Sequence, residues 1–165
     1  MELWDVYDIN RKKTGKTHLR SVPLPEGSYH LVVHAIIENE RGEVLISKRH
    51  PTKPYGNLWE CNGGSVLAGE TSLQGILREI KEEIGMDLNP DNGKIIHQET
   101  RDCSHYDLWY FQQNANIHDL ALQAEEVSDA KWVNQKEYDV MVTNQEIVPS
   151  IDHYFRLVFK NRREK

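Results

Sequence analysis

The sequence predicts an α/β or α+β layered domain, because strand-like segments alternate with two helix-like ones. Apolar residues recur at helical spacing in residues 73–84 and again at positions 151, 154, 155, 158 and 159. Between and before them lie segments rich in β-branched residues, YHLVVHAIIEN above all. The chain has 165 residues, with four Trp, seven Tyr and three Phe, enough to build a core within one domain spanning residues 1–165.

Taken in order, residues 2–9 read as a strand and residues 10–16 as its turn. The prolines at 23 and 25 and the glycine at 27 mark a loop. Residues 29–39 and 43–48 are predicted as strands joined at Arg41-Gly42, a hairpin. The stretch PTKPYGNLWE is a loop running into a short strand, and a glycine-rich turn follows at Gly63-Gly64. Thr71 or Ser72 caps a helix, Gln74 completes a capping box with Thr71, and Gly85 ends the helix. Residues 100–112 and 130–134 read as strands, and residues 150–163 as an amphipathic helix with a basic tail.

Composition narrows the function. The formal net charge of -6 argues against binding a DNA or RNA polymer, which needs clustered Lys and Arg. Cys61 and Cys103 are too few for a disulfide scaffold and form no CxxC pair, so a reducing cytoplasm is expected. No apolar run approaches a membrane span, and the N-terminus lacks the order of a signal peptide.

The chemistry concentrates in GGSVLAGETSLQGILREIKEEIGM. On a helix, Leu73, Ile76, Leu77, Ile80 and Ile84 form one apolar stripe, while Glu79, Glu82 and Glu83 gather in a neighbouring arc. Like charges at that spacing repel by a few tenths of a kcal/mol per pair. The spacing alone fits a solvated acidic face, or an all-oxygen site for a hard cation such as Mg²⁺ or Mn²⁺.

The full pattern is Gly64, Glu70, Arg78-Glu79-Ile80, Glu82-Glu83 and Gly85-Met86. It resembles the Nudix box, GX5EX7REUXEEXGU, with every defined position of residues 64–86 filled. The resemblance implies a Nudix fold: an α/β/α sandwich with a mixed β-sheet and the box as a loop-helix-loop. It also implies metal-dependent hydrolysis of a nucleoside diphosphate linked to another group, or of a related small organic diphosphate. Carried over by position, Glu82 and Glu83 are metal ligands, and Glu79 is a further ligand or the base that orients water. The carbonyl of Gly63 or Gly64 is an extra ligand. Arg78 positions a glutamate through its planar fork, and Glu70 is structural. Mg²⁺ is the expected ion, with Mn²⁺ a substitute. Family members often use one more acid outside the box, for which Glu125 and Glu126 are candidates. Arg49, with Lys48, is a candidate for phosphate contact; Trp109, with Trp59, Tyr110 and Phe111, is a candidate for stacking on a base, with core packing the more common role of such strand aromatics.

The N-terminal half also resembles Nudix proteins related to isopentenyl-diphosphate isomerase, in ELWDVYDINRKKTGKTH and the segments up to Leu58-Trp59. That resemblance puts His18 and His30 near two histidine ligands of the isomerase. Its Cys-Gly-His motif is absent, however. Gly63-Gly64-Ser65 stands there, and Cys61 lies two positions too early. Hydrolysis is the expected activity, with isomerisation or non-catalytic nucleotide binding as alternatives. Neither the exact substrate nor the choice between monomer and homodimer is legible.

Overall fold

The computed structural model describes the backbone of residues 1–163 and the side chains of residues 1–160. The expected basic tail lies outside those side chains. Two strands, β1 (Leu3–Tyr7) and β2 (Lys13–Leu19), pair antiparallel into a separate ribbon. The main sheet is mixed. Its centre is β3 (His30–Glu38), which runs parallel to β8 (Ser104–Gln112) and antiparallel to β6 (Asn62–Ser65). β7 (Gly93–Arg101) lies outside β8. β4 (Val44–Arg49) pairs with β5 (Trp59–Glu60) on one side and β9 (Val127–Val133) on the other.

β3 and β4 form the expected hairpin, but they pair only at Glu38 and Val44. Beyond that point they diverge, so the sheet opens into two leaves. One leaf is β7-β8-β3-β6 and the other is β9-β4-β5. The chain crosses from one leaf to the other at Cys61, between β5 and β6.

Strand alternation sorts the core into two layers. Val33, Ala35 and Ile37 of β3 face α1 (Ser72–Ile84), whose Ile76, Ile80 and Ile84 are all 0% exposed. Ile36 of β3 and Val44 and Ile46 of β4 face the opposite layer. There α2 (Gln135–Thr143) contributes Tyr138 and Met141, and α3 (Asp152–Arg163) contributes Tyr154, Phe155, Val158 and Phe159. The apolar positions that predicted the C-terminal helix are all buried, and of those that predicted α1, Ile76, Ile80 and Ile84 are buried and Leu73 and Leu77 partly so. The result is an α/β/α sandwich.

Several elements differ from the sequence reading, each for a physical reason. The ribbon turn is shorter than residues 10–16, and β2 begins at Lys13. β2 is polar and almost wholly exposed, so it has no apolar period to reveal it. Residues 100–112 are not one strand: a turn with Asp102 at φ 51° separates β7 from β8. β7 was not expected. A bulge between Ile95 and His97 breaks its alternation. α2 was not expected either, since it buries only Tyr138 and Met141. Its capping box, Asn134 with Glu137, was nevertheless written in the sequence.

Gly63 and Gly64 lie in β6 rather than in a turn. A Cβ on Gly63 would stand 2.1 Å from the Val33 carbonyl oxygen, and one on Gly64 2.4 Å from the Glu79 carboxyl carbon. Here the glycines mark close approach, the other meaning of glycine in a strand.

The ribbon packs over the box loop. Tyr7 and Tyr29 exchange backbone hydrogen bonds, and Ala68 N donates to Leu3 O. Arg11, at φ 66°, donates to Asp107 and to the carbonyls of Glu99 and Tyr106.

Ile80 is the centre of the α1 contact. Ile80→Ala is expected to cost about 2–5 kcal/mol, the range for a buried aliphatic truncation. A urea titration should show a lower midpoint at unchanged slope, and an unmoved midpoint would contradict this packing.

Candidate active site

α1 is held at both ends. Thr71 Oγ1 accepts from Gln74 N at 3.1 Å, and Gln74 Oε1 accepts from Thr71 N at 2.9 Å. Gly85, at φ 71°, ends the helix in the left-handed region that favours glycine. Gly75 leaves room for Val66, since a Cβ there would lie 2.8 Å from Val66 Cγ2.

Arg78 ties this helix to β6 and to the loop between them. Its Nε and Nη2 donate to the two oxygens of Glu70 at 2.6 and 3.1 Å, a paired fork. Nη2 also donates to Ser65 O at 3.0 Å, and Nη1 to Glu79 at 3.0 Å and Glu82 at 3.2 Å. Glu70 accepts in addition from Leu67 N. The hydrogen bonds with Glu70 raise the Arg78 guanidinium above its usual range.

The three box glutamates differ in surroundings. Glu82 is exposed, at 54% of its side chain. Glu79 is largely covered and rests against Gly64. Burial raises its carboxyl, against the opposing charge of Arg78. Glu83 accepts from Asn62 Nδ2 at 2.8 Å. Burial pushes it up to about 7, Glu79 and Glu60 push the same way, and only the Asn62 bond and Lys53 oppose them.

Glu83 lines a cavity of about 110 Å³ at the open end of the two leaves. His34, Gly63 and Gly64 bound it from the β3-β6 side, and Arg49, Glu60 and Val127 from the β4 side. Lys53 and Glu126, which also line it, form an ion pair with each other. Arg49 Nη1 donates to both oxygens of Glu60, at 2.8 and 3.0 Å. The cavity therefore joins three of the predicted site residues, Glu83, Gly63 and Glu126, with the candidate Arg49. Glu79 touches its Gly64 wall.

Trp109 does not line it and sits where the core-packing alternative puts it. It packs beside Phe111 in the α1 layer, and its Nε1 donates to Ser72 Oγ at 2.9 Å. Phe111 is buried in the same layer. Cys61 sits in the opposite core with its thiol pushed up by burial. His18 pairs with the carbonyls of Val22 and Pro23, and His30 pairs with Ser104 and stacks on Trp4; neither lines the cavity.

Glu60, Lys53 and His34 were not anticipated. Alternation between buried Trp59 and Cys61 turns Glu60 to the other face, a signal present in the sequence. Lys53 lies in a loop and carries no such signal. His34 occupies an ordinary strand position. Its Nδ1 is shielded and unpartnered, and burial lowers it to about 4.

The raised Glu83 carboxyl has a measurable sign. A carboxyl held above its ordinary 4.5 binds its proton more tightly when folded than when unfolded. Its contribution to stability is therefore complete below about 4.5 and is lost as pH rises through about 7. In EDTA, the urea midpoint of wild type should fall relative to Glu83→Gln between pH 5 and pH 8. Parallel midpoints across that span would contradict the buried, crowded placement of Glu83.

Comparison with known proteins agrees with this fold. The NUDIX domain model matches residues 28–156. An uncharacterized Nudix hydrolase of Listeria innocua is 38% identical over 151 residues, covering 90% of this chain and 89% of that one. CTP pyrophosphohydrolase of Escherichia coli is 31% identical over 110 residues, covering 64% of this chain and 76% of its own. A crystal structure of a Deinococcus radiodurans protein superposes with a TM-score of 0.73 at 20% identity, covering 96% and 98% of the two chains. With its box intact, Glu83 of that box lining the cavity and the family model matched over most of its length, the chain belongs to the Nudix hydrolase family.

Proposed function

We propose that this enzyme hydrolyses the diphosphate bond of a nucleoside diphosphate derivative or related small organic diphosphate, with Mg²⁺ or Mn²⁺ as its cofactor. The observation that carries this reading is the mixed charge of one small cavity: Glu83, Glu60 and Glu126 line it together with Arg49 and Lys53. Similarity to a pyrophosphohydrolase that acts on CTP supports the substrate class.

The donor set fits a hard divalent cation. It is all oxygen, and Glu83 is crowded by the carboxylates of Glu79 and Glu60 in a buried position, a repulsion that a cation relieves. Glu79, Glu82, Glu83, the Gly63 carbonyl and Glu126 are the residues that would hold it. When bound, the ion offsets charge on phosphate oxygens and acidifies a coordinated water.

The chain's own residues supply the remaining work. Arg49 and Lys53 attract the phosphates, and Lys53 exchanges Glu126 for a phosphate oxygen. Arg78 holds one oxygen of Glu79 and leaves the other to orient the attacking water. The dense bonding of Arg78 and Glu70 keeps the helix acids in register with β6. A reducing cytoplasm is the compartment that suits the two free cysteines.

The test is release of phosphate or pyrophosphate from nucleoside triphosphates, nucleoside diphosphate derivatives and isopentenyl diphosphate, with and without Mg²⁺. Glu83→Gln should retain the fold and lose about a hundredfold or more in turnover. Rearrangement of isopentenyl diphosphate without hydrolysis would replace this reading by the isomerase one. Silence on every substrate would favour a binding module.

A further inference from the structure

A second cluster of metal-type ligands lies away from the box acids, where the first turn of α3 meets the edge strand β7. His97 and Glu99 are two residues apart on β7 and so share a face. His153 comes from α3, over fifty residues away in sequence. His153 Nε2 stands 3.1 Å from Glu99 Oε1, and His97 Nε2 stands 3.6 Å from Glu99 Oε2. One ligand atom from each residue lies within 4.8 Å of the others.

We propose that His97, Glu99 and His153 form a site for a borderline transition-metal ion, best matched by Zn²⁺. Two imidazoles and one carboxylate form a donor set that selects such ions over Mg²⁺. Bond lengths of about 2.0–2.2 Å put the ligands of one zinc roughly 3.3 Å apart. Closing the widest gap therefore takes about 1.5 Å, within reach of a modest turn of two partly exposed imidazole side chains.

The carboxylate is already oriented for this role. Tyr154 Oη donates to Glu99 Oε1 at 2.7 Å, and Arg101 Nη2 lies 3.1 Å from the same oxygen. Ligating carboxylates are commonly braced in this way. Oε2 is left facing His97. Burial would raise the Glu99 carboxyl, but the bonds from Tyr154 and His153 and the charge of Arg101 hold it below its usual value, so it stays ionised.

Arg101 also sets a limit, since its charge opposes a cation nearby. Its guanidinium sits 4.4 Å over the Tyr106 ring, and its ion pair with Glu99 is made to Oε1. His153 is 45% exposed, so the ion keeps an open side for water. An occupied site pins α3 to β7. It borders the aromatic group of Tyr154, Tyr106 and His34, and His34 belongs to the cavity wall.

The test is calorimetric titration of the tag-free full chain with ZnCl₂ in excess Mg²⁺, which occupies the box acids. All variants carry Cys103→Ser to remove the exposed thiol. We expect one zinc equivalent in the parent and in His18→Ala. We expect affinity to fall about tenfold or more in His97→Ala/His153→Ala and in the milder single change His153→Gln. Zinc should also raise the Tm of the parent but not of the double variant. Equal affinity and stoichiometry in parent and His153→Gln would overturn the proposal. So would no zinc binding by the parent under excess Mg²⁺. Neither result bears on phosphate release, so this proposal fails separately from the hydrolase reading.

Discussion

Everything at the acidic cavity depends on how closely α1 lies against β6. There is no space for a methyl group between Gly64 and the Glu79 carboxylate, or between Gly63 and the β3 backbone. Arg78 locks that approach by bonding to Glu70 and Ser65 on one side and to Glu79 and Glu82 on the other. Without this ion-paired fork, the mutual repulsion of the box acids would favour a looser helix. The apolar stripe of Ile76, Ile80 and Ile84 supplies the burial that holds the helix down, and Arg78 sets where along the sheet it rests.

The arrangement stores electrostatic cost at the place where chemistry is proposed. Glu60, Glu79 and Glu83 are all carboxyls that burial raises above their ordinary range. Fold stability alone would not select such a group, whereas the cation proposed for this site would relieve its cost. Arg49 and Lys53 offset part of the cost by pairing with Glu60 and Glu126. The same cations line the space where a diphosphate would lie.

What the sequence revealed follows from how local each signal is. The spacing of Leu73 to Ile84 carried both faces of α1, because a helix writes its environment into successive residues. β3 was equally legible, since nine consecutive residues suit a buried strand. β2 and β7 were hidden because they face water or break their alternation, and α2 because only two of its residues are buried. The box acids were legible as one contiguous motif. His34, Lys53 and Glu60 come from β3, a loop and β5, outside the box in sequence, and the fold brings them to the same cavity. Trp109 stayed open between base stacking and core packing for a related reason: the sequence shows that an aromatic lies on a strand, but not which layer it faces.

The divergence of β3 from β4 has a mechanical side. The acids of α1 travel with β6 and β3, whereas Arg49 and Glu60 belong to β4 and β5. β3 and β4 meet at one residue pair, Glu38 with Val44, and the chain crosses between the leaves at Cys61. Leu45 and Val127 pack in the α1 layer, and Gln123 N donates to Glu83 O. The architecture is that of a pair of calipers. One jaw brings the box acid Glu83, and the other brings the paired charges of Arg49 with Glu60. The gap between the jaws is thus set by the shape of the sheet as a whole, at a distance from the Asn39–Gly42 turn, which lines no part of the cavity.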